Sequence, residues 1–394
     1  MLDHLQMPPP DKILSLMAMF REDPRPEKMD LGVGVYRDAS GTTPILAAVK
    51  EAERRVLAAE TTKTYLGPAG DPVFCDLVAD LVFGAGRPKD RLRGVQTTGG
   101  GGALSVLAGL VAAARPGATV HVPDPTWVNH GSILRDNGLS ISAYPYLARG
   151  HRGIDFDGLI GHLGAVPAGD VVLVHGCCHN PSGTDLTRDQ WQRLAALLAE
   201  RGLMPFVDLA YLGFGDGLEE DAFAVRLLAA IVPEMVVAVS CSKNFGIYRE
   251  RTGAAFALAR TADEAAVARE HMTVRNRILY SMPPDHGSAI VRTVLSDAAL
   301  AAQWRAELDA MRTGVQSLRD ALAAAFARLT NRDDHGFLAT DKGMFSMVGI
   351  TPEQVRRLRE EHAIYMVEDS RINVAGLRHD QVERFARAVL ATTA

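Results

Sequence analysis

Three observations predict an α/β protein with a mostly parallel sheet and a second, smaller α+β domain. From about Arg93 to Ala259, short β-rich runs alternate with longer helical patterns, the order expected of repeated βαβ units. One of those runs, Val171–His175, strings apolar residues together, as a parallel strand covered on both faces does. Beyond about Thr261 the texture changes to long alanine-rich helices, then to short strands mixed with helices.

The elements follow in order. Residues 1–45, with prolines at 8, 9, 10, 24 and 26, read as an arm plus one helix, Lys12–Phe20. Gly94–Thr98 is a strand, and Gly101–Ala114 a helix closed by the stop signal Arg115-Pro116-Gly117. Thr119–Val122 and Ser140–Ala143 are strands around a helix at Trp127–Asn137, which ends at Gly138. Leu186–Arg201 is a helix with Thr187 and Asp189 near its start and Gly202 at its end. Pro205–Asp208, Met235–Ser240 and Gly253–Ala259 supply three more strands. Ala262–Asn276 and Asp297–Leu329 are long helices. After them come short strands at Phe345–Val348, Tyr365–Val367 and Arg371–Val374, and helices at Thr351–Glu361 and His379–Thr392. The expected division is an arm with part of the smaller domain at 1–45, a large domain at 46–296 and the smaller domain at 297–394.

Composition narrows the class. The 394 residues are 47% apolar and 23% charged, which excludes a disordered chain, a disulfide-stapled miniprotein and a collagen-like repeat. Forty-two Lys and Arg against 47 Asp and Glu leave a net charge of −5, so no basic field is available for nucleic acid or an anionic membrane. Four cysteines, at 75, 177, 178 and 241, suit a reducing compartment. No apolar run reaches the ~18–20 residues of a membrane span, and the start Met1-Leu2-Asp3-His4 lacks the basic and apolar regions of a signal peptide. The expectation is a cytoplasmic protein.

In open α/β sheets, ligands bind beyond the C-terminal ends of the strands. Those positions here carry Gly99-Gly100-Gly101-Gly102, then Pro123-Asp124-Pro125-Thr126-Trp127, then His175-Gly176-Cys177-Cys178-His179-Asn180-Pro181. Two more follow, Asp208-Leu209-Ala210-Tyr211 and Ser240-Cys241-Ser242-Lys243-Asn244-Phe245-Gly246. Polar and aromatic groups thus converge on one edge. The glycines at a helix start can close backbone N–H groups on a phosphate, or form a flexible turn. A dinucleotide fingerprint with Asp124 on the ribose is a rival, but its third small position falls on Leu104 or Ser105. Lys243, near the strand end and near Arg251, is either a solvated lysine or an amine of depressed pKa suited to Schiff-base chemistry. Asp208 is either a helix cap or a buried acid paired with a cation. Cys177-Cys178-His179 has no second Cys/His cluster at ligand spacing, so no metal is expected, and adjacent cysteines do not easily bridge.

The runs His175 to Gly183, Asp208 to Tyr211, Ser240 to Gly246 and Arg371-Ile-Asn-Val-Ala-Gly376 together resemble the pyridoxal-phosphate aminotransferases of the aspartate and aromatic amino acid type. The likeness extends from Asp11-Lys-Ile-Leu14, Leu31 to Tyr36 and Thr61 to Tyr65 through to the last helix. It implies the type I fold of pyridoxal-phosphate enzymes, with the cofactor on the large domain. Lys243 would hold the cofactor as a Schiff base and later move the substrate's α-proton. Asp208 would pair with the pyridine nitrogen, making the ring an electron sink. Tyr211 and Asn180 would bind its phenolic oxygen, and Trp127 would stack on it with His130 behind. Gly100, Gly101, Ser240, Ser242 and Arg251 would bind the phosphate, with Tyr65 arriving from a second subunit of a homodimer. Arg371 would fork onto the α-carboxylate, assisted by Gly34, and the partner's Arg277 would reach a distal carboxylate. Ile13 would be an apolar plug.

Departures bear on specificity. The resemblance implies Asn where Thr64 stands, Thr where Gly101 stands, and two Asn where Leu279 and Met282 stand in the aspartate type. The pocket near Arg277 is then less polar, closer to bacterial aromatic aminotransferases. The expectation is therefore transfer from tyrosine or phenylalanine to 2-oxoglutarate by a ping-pong route, with aspartate turnover retained. An aspartate aminotransferase, a nicotinamide oxidoreductase and an inactive binding protein on the same fold are the alternatives.

Overall fold

The computed structural model describes residues 2–7, 12–148, 150 and 153–393, so Asp11 and the prolines at 8–10 lie outside the described residues. The chain opens with helix α1 (Lys12–Glu22) and the short strand β1 (Met29–Asp30), then α2 (Ala47–Ala59) and α3 (Pro72–Phe83). The sheet-building part follows: β2 (Leu92–Thr98), α4 (Gly99–Ala114), β3 (Thr119–Asp124), α5 (Asn129–Asp136), β4 (Ser140–Pro145), α6 (Phe156–Gly164) and β5 (Val171–His175). It continues through α7 (Arg188–Arg201), β6 (Met204–Leu209), α8 (Leu218–Asp221), α9 (Phe223–Ile231), β7 (Met235–Ser240) and β8 (Thr252–Leu258). Helices α10 (Ala262–Tyr280), α11 (His286–Ser296), α12 (Ala298–Thr330) and α13 (Phe337–Thr340) come next. The chain closes with β9 (Phe345–Met347), α14 (Pro352–His362), β10 (Ile364–Tyr365), β11 (Arg371–Asn373) and α15 (Val382–Thr393).

Seven strands form one sheet in the order β2-β8-β7-β6-β5-β3-β4. All neighbours are parallel except β8, which runs antiparallel to both β2 and β7. The side-chain period of two explains the apolar reading of β5. Val171 and Leu173 face a core shared with α4, α5 and Met272 of α10, whereas Val172 and Val174 face the opposite core with α3, α6, α7 and α9. A third core gathers Met29 and Leu31 with Leu322, Phe326, Leu358, Ile364, Ile372, Phe385 and Val389. Pairing of β1 with β10 in parallel ties the arm to that core. Helix α12 serves two cores, with Trp304, Leu308 and Val315 in one and Leu322 and Phe326 in another.

Several helices depart from the sequence expectation. Helix α4 begins at Gly99 rather than Gly101, so its first turn takes in the four glycines, and α5 begins at Asn129, leaving Trp127 in the preceding turn. The sequence pattern marks no helix at α2, α3, α6, α8, α9, α11 or α13. In α3, the buried residues Phe74, Cys75, Val78, Ala79, Leu81, Val82 and Phe83 lie on several faces, so no single apolar stripe marks the helix. Its start is nonetheless built from Asp71, whose carboxylate accepts the N–H groups of Val73 and Phe74, and Pro72. The expected caps of α7 are present: Thr187 forms a capping box with Gln190, and Gly202 adopts φ 64. Among the described residues no helix is long and apolar enough to cross a membrane.

Candidate active site

The C-terminal ends of β2, β3, β5, β6 and β7 share one edge of the sheet, because β8 alone is reversed. There the chain forms a cleft of about 550 Å³. Gly34, Gly100, Gly101, Trp127, Asn180, Asp208, Tyr211, Ser240, Ser242, Lys243 and Arg251 all line it, so eleven residues singled out from sequence meet in one place. An adjoining cavity of about 450 Å³ brings in Ile13 and Arg371 beside Trp127 and Asn180. Arg277 and Tyr65 do not line the cleft of their own chain. Arg277 is exposed near the end of α10, hydrogen-bonded to Ser281, and Tyr65 is 89% exposed.

Lys243 stands on the turn after β7, its Nζ 4.7 Å from the centroid of the Tyr211 ring. Burial pushes its ammonium down to about 8. The nearby Asp208 carboxylate pulls the other way, and Arg251 adds a small further depression. The sequence shows the second cation, Arg251, beside Lys243, but desolvation is the larger cause.

Asp208 is buried at the end of β6. Desolvation, the largest single influence, would raise its carboxyl, but a hydrogen bond from His130 (Nε2 to Oδ2, 3.1 Å) together with the electrostatic pull of the neighbouring His130, His175 and Lys243 outweighs it and holds the group below the usual carboxylate range. This fixes a proton chain. With Asp208 ionised, His130 Nε2 donates and its Nδ1 must accept from Thr126 Oγ1 at 2.8 Å. Thr126 then accepts from His175 Nε2 at 2.9 Å, and His175 Nδ1 accepts the Asn180 N–H at 3.5 Å. Burial drives His175 well below its ordinary pKa, which keeps it neutral as the chain requires. The sequence marks Thr126 and His175 only by their place after strands. Their role depends on the His175–Asp208 register of β5 and β6, which no local spacing reveals.

On the other wall, Arg371 opens β11 and is buried. Its Nη2 donates to Gly32 O at 2.9 Å and its Nη1 to Asn180 Oδ1 at 3.4 Å, while Nε has no partner among the described residues. The guanidinium lies over the Phe345 ring at 4.6 Å, and burial lowers its pKa. Gly34 is required beside it, since a Cβ there would stand 2.8 Å from the same ring.

At the start of α4, a Cβ on Gly100 would meet the Ser240 Cβ at 2.9 Å, and Gly99 sits at φ 72 beside the Arg251 guanidinium. Arg251 Nη1 donates to Ser242 Oγ at 3.4 Å. Helix N–H groups, two serines and an arginine therefore face one small space, an arrangement suited to an anion. Tyr248, Leu104, Asn129, Ser132 and Ile133 also line the cleft and were missed. Tyr248 follows Lys243 closely, but its hydroxyl accepts the Tyr36 N–H at 3.0 Å across the fold, which the sequence does not display.

The chain is 50% identical over 390 residues to an aromatic-amino-acid aminotransferase of Paracoccus denitrificans, covering 99% of both chains. It is 44% identical to an aspartate aminotransferase of Escherichia coli (strain K12), over 99% of this chain and 100% of that one. A solved aromatic-amino-acid aminotransferase from Burkholderia pseudomallei, covalently bound to pyridoxal phosphate, superposes with a TM-score of 0.97 at 38% identity, covering 100% of this chain and 99% of its own. The model of the class I and II aminotransferases matches residues 26–389. With a desolvated lysine, an ionised buried aspartate and an anion cradle on one sheet edge, and that match over nearly its whole length, the chain belongs to the class I and II aminotransferases.

Proposed function

We propose that the chain transfers the amino group of aromatic amino acids, tyrosine and phenylalanine, to 2-oxoglutarate with pyridoxal 5′-phosphate, and that it also turns over aspartate. The observation that carries the reading is Lys243, an amine brought down to about 8 on the floor of a cleft facing Asp208 and Tyr211. The Paracoccus and Burkholderia relatives support the aromatic preference, and the Escherichia coli relative supports aspartate turnover.

The residues fit the cofactor. Gly100, Gly101, Ser240, Ser242 and Arg251 line one cleft with Lys243 and Asp208, and a Cβ on Gly100 would stand 2.9 Å from the Ser240 Cβ, so the cradle has room for a phosphate only because that position is glycine. Bound there, pyridoxal phosphate supplies a carbonyl that condenses with amines and a ring that takes up electron density. Gly100, Gly101, Ser240, Ser242 and Arg251 hold the phosphate. Asp208, kept ionised with the help of His130, would pair with the ring nitrogen, Tyr211 and Asn180 would hold the phenolic oxygen, and Trp127 would bound the ring on one side. Arg371 grips the substrate α-carboxylate with Gly34 beside it, Ile13 closes the apolar side, and the Lys243 amine moves the proton on the substrate's α-carbon.

Tyr65 and Arg277 belong to the site of a second copy in a cytoplasmic homodimer. Their exposure supports this, as do the exposed Val274, Ile278 and Leu279 beside Arg277 on α10. The domains divide at 1–45, 46–296 and 297–394, a reading supported by the third apolar core, with the first half of α12 packed into the core of the large domain. The test is kcat/KM for phenylalanine, tyrosine and aspartate with 2-oxoglutarate. Efficient turnover of all three is expected, and aspartate turnover with negligible aromatic activity overturns the aromatic assignment.

A further inference from the structure

The turn after β5 carries a group of donors that transamination does not use. Neighbouring residues on an extended chain point to opposite sides. Cys178, however, sits at φ 51 in the left-handed region, and both Cys177 and Cys178 turn toward one buried spot. Asp221, the last residue of α8, meets them there. The two sulfurs and one carboxylate oxygen all lie within 4.8 Å of one another. We propose that Cys177, Cys178 and Asp221 bind one thiophilic divalent cation, of the zinc or cadmium kind, at a site separate from the cleft of Lys243.

The donor set selects the ion. Two sulfurs favour soft or borderline cations over magnesium and calcium, which prefer oxygen. Metal–sulfur bonds of about 2.3 Å suit a triangle of this size after small side-chain rotations. Asp221 is already fixed: its Oδ2 accepts the N–H groups of Gly213 and Gly215, and its Oδ1 that of Asp216, at 2.8–2.9 Å. One lone pair on Oδ1 remains for a metal. Access exists as well, since Cys177 and Asp221 line a cavity of about 540 Å³ together with Asp185, Trp191 and Lys342, with room for a water as fourth ligand.

Binding balances without an oxidant. Two S–H bonds break, two metal–sulfur bonds form, and two protons leave to solvent. The local charge is that of one carboxylate both before and after, so the buried site gains no net charge. The clasp joins the turn that leads to Asn180 with the turn that leaves Tyr211, where Cys178 Sγ already lies 3.9 Å from the Tyr211 carbonyl.

Cadmium chloride, added to the full-length protein in its native cofactor-containing form after chelation, is the probe. One cadmium per chain is expected, with an ultraviolet thiolate-to-cadmium band and two sulfur neighbours by X-ray absorption. Cys177→Ser and Cys178→Ser should each weaken binding at least tenfold and remove the band, while Cys75→Ser leaves both intact. Because a buried serine can disturb folding, X-ray absorption on the unaltered chain decides independently. A shell with fewer than two sulfurs, a band that survives both serine changes, or one lost with Cys75→Ser overturns the proposal.

Discussion

Lys243 shows how much a single position can carry. An amine at about 8 is half neutral one unit above neutrality, whereas a solvated lysine, near 10.4, is almost wholly charged there. Only the neutral amine attacks a carbonyl. The rate at which stripped protein recombines with pyridoxal phosphate should therefore rise with pH and level off above about 8, which stopped-flow absorbance can follow. A rise that continues to pH 10 would show a solvated lysine. Lys243→Ala removes both the attachment point and the proton carrier. We expect kcat to fall by about 10³-fold or more, and borohydride no longer to fix the cofactor to the chain, as mass spectrometry would report.

The elements set the limits within which such residues act. Strand β8 approaches the start of α4 so closely that a Cβ on Gly253 would lie 2.6 Å from both the Gly99 carbonyl carbon and the Val239 oxygen, all of it backbone. Gly253→Ala must therefore push the glycine cradle away from β7, and cofactor affinity should drop at least tenfold in an equilibrium titration. Gly101→Ala, on the same helix, meets nothing within 4 Å. It should raise thermal stability by up to about 1 kcal/mol, because alanine outranks glycine in a helix.

This contrast also explains what the sequence could and could not disclose. Strand ends were legible because β5, β6 and β7 are apolar runs that stop abruptly at polar residues, and the functional side chains sit directly past those stops. The Asp208–His130–Thr126–His175 chain was not legible, because it needs the register of two strands and the tautomer of two rings. Asp221 was hidden for a similar reason: only the folded turn after Tyr211 carries it to the cysteine pair. The helices α2 and α3 fell in a stretch the sequence reading left unassigned, although Asp71-Pro72 was a start signal in plain sight.

At the scale of the molecule, the distribution of site residues makes the proposed sharing of each site between two copies testable. Tyr65 and Arg277 face outward from a chain whose other site residues face inward. If each cleft takes Arg277 from a second copy, two inactive variants can repair one another. If the protein is the proposed homodimer, the Lys243→Ala and Arg277→Ala variants, mixed under conditions that permit exchange, should recover about a quarter of wild-type aspartate turnover. Half of the random dimers are hybrids, each with one intact site. No recovery, with exchange verified by native mass spectrometry, would place Arg277 in its own subunit's cleft.

Helix α12 has a consequence for anyone who would take the molecule apart. At 33 residues it is a rod of about 50 Å, with one end greased for each of two cores. A cut at residue 297 looks clean on paper, yet it strips Trp304, Leu308, Met311 and Val315 of their partners and presents them to water. A fragment of residues 297–394 should accordingly bind a hydrophobic dye and self-associate in sedimentation runs. The scissors, if they are to work at all, have to leave that rod in one piece with both of its sockets.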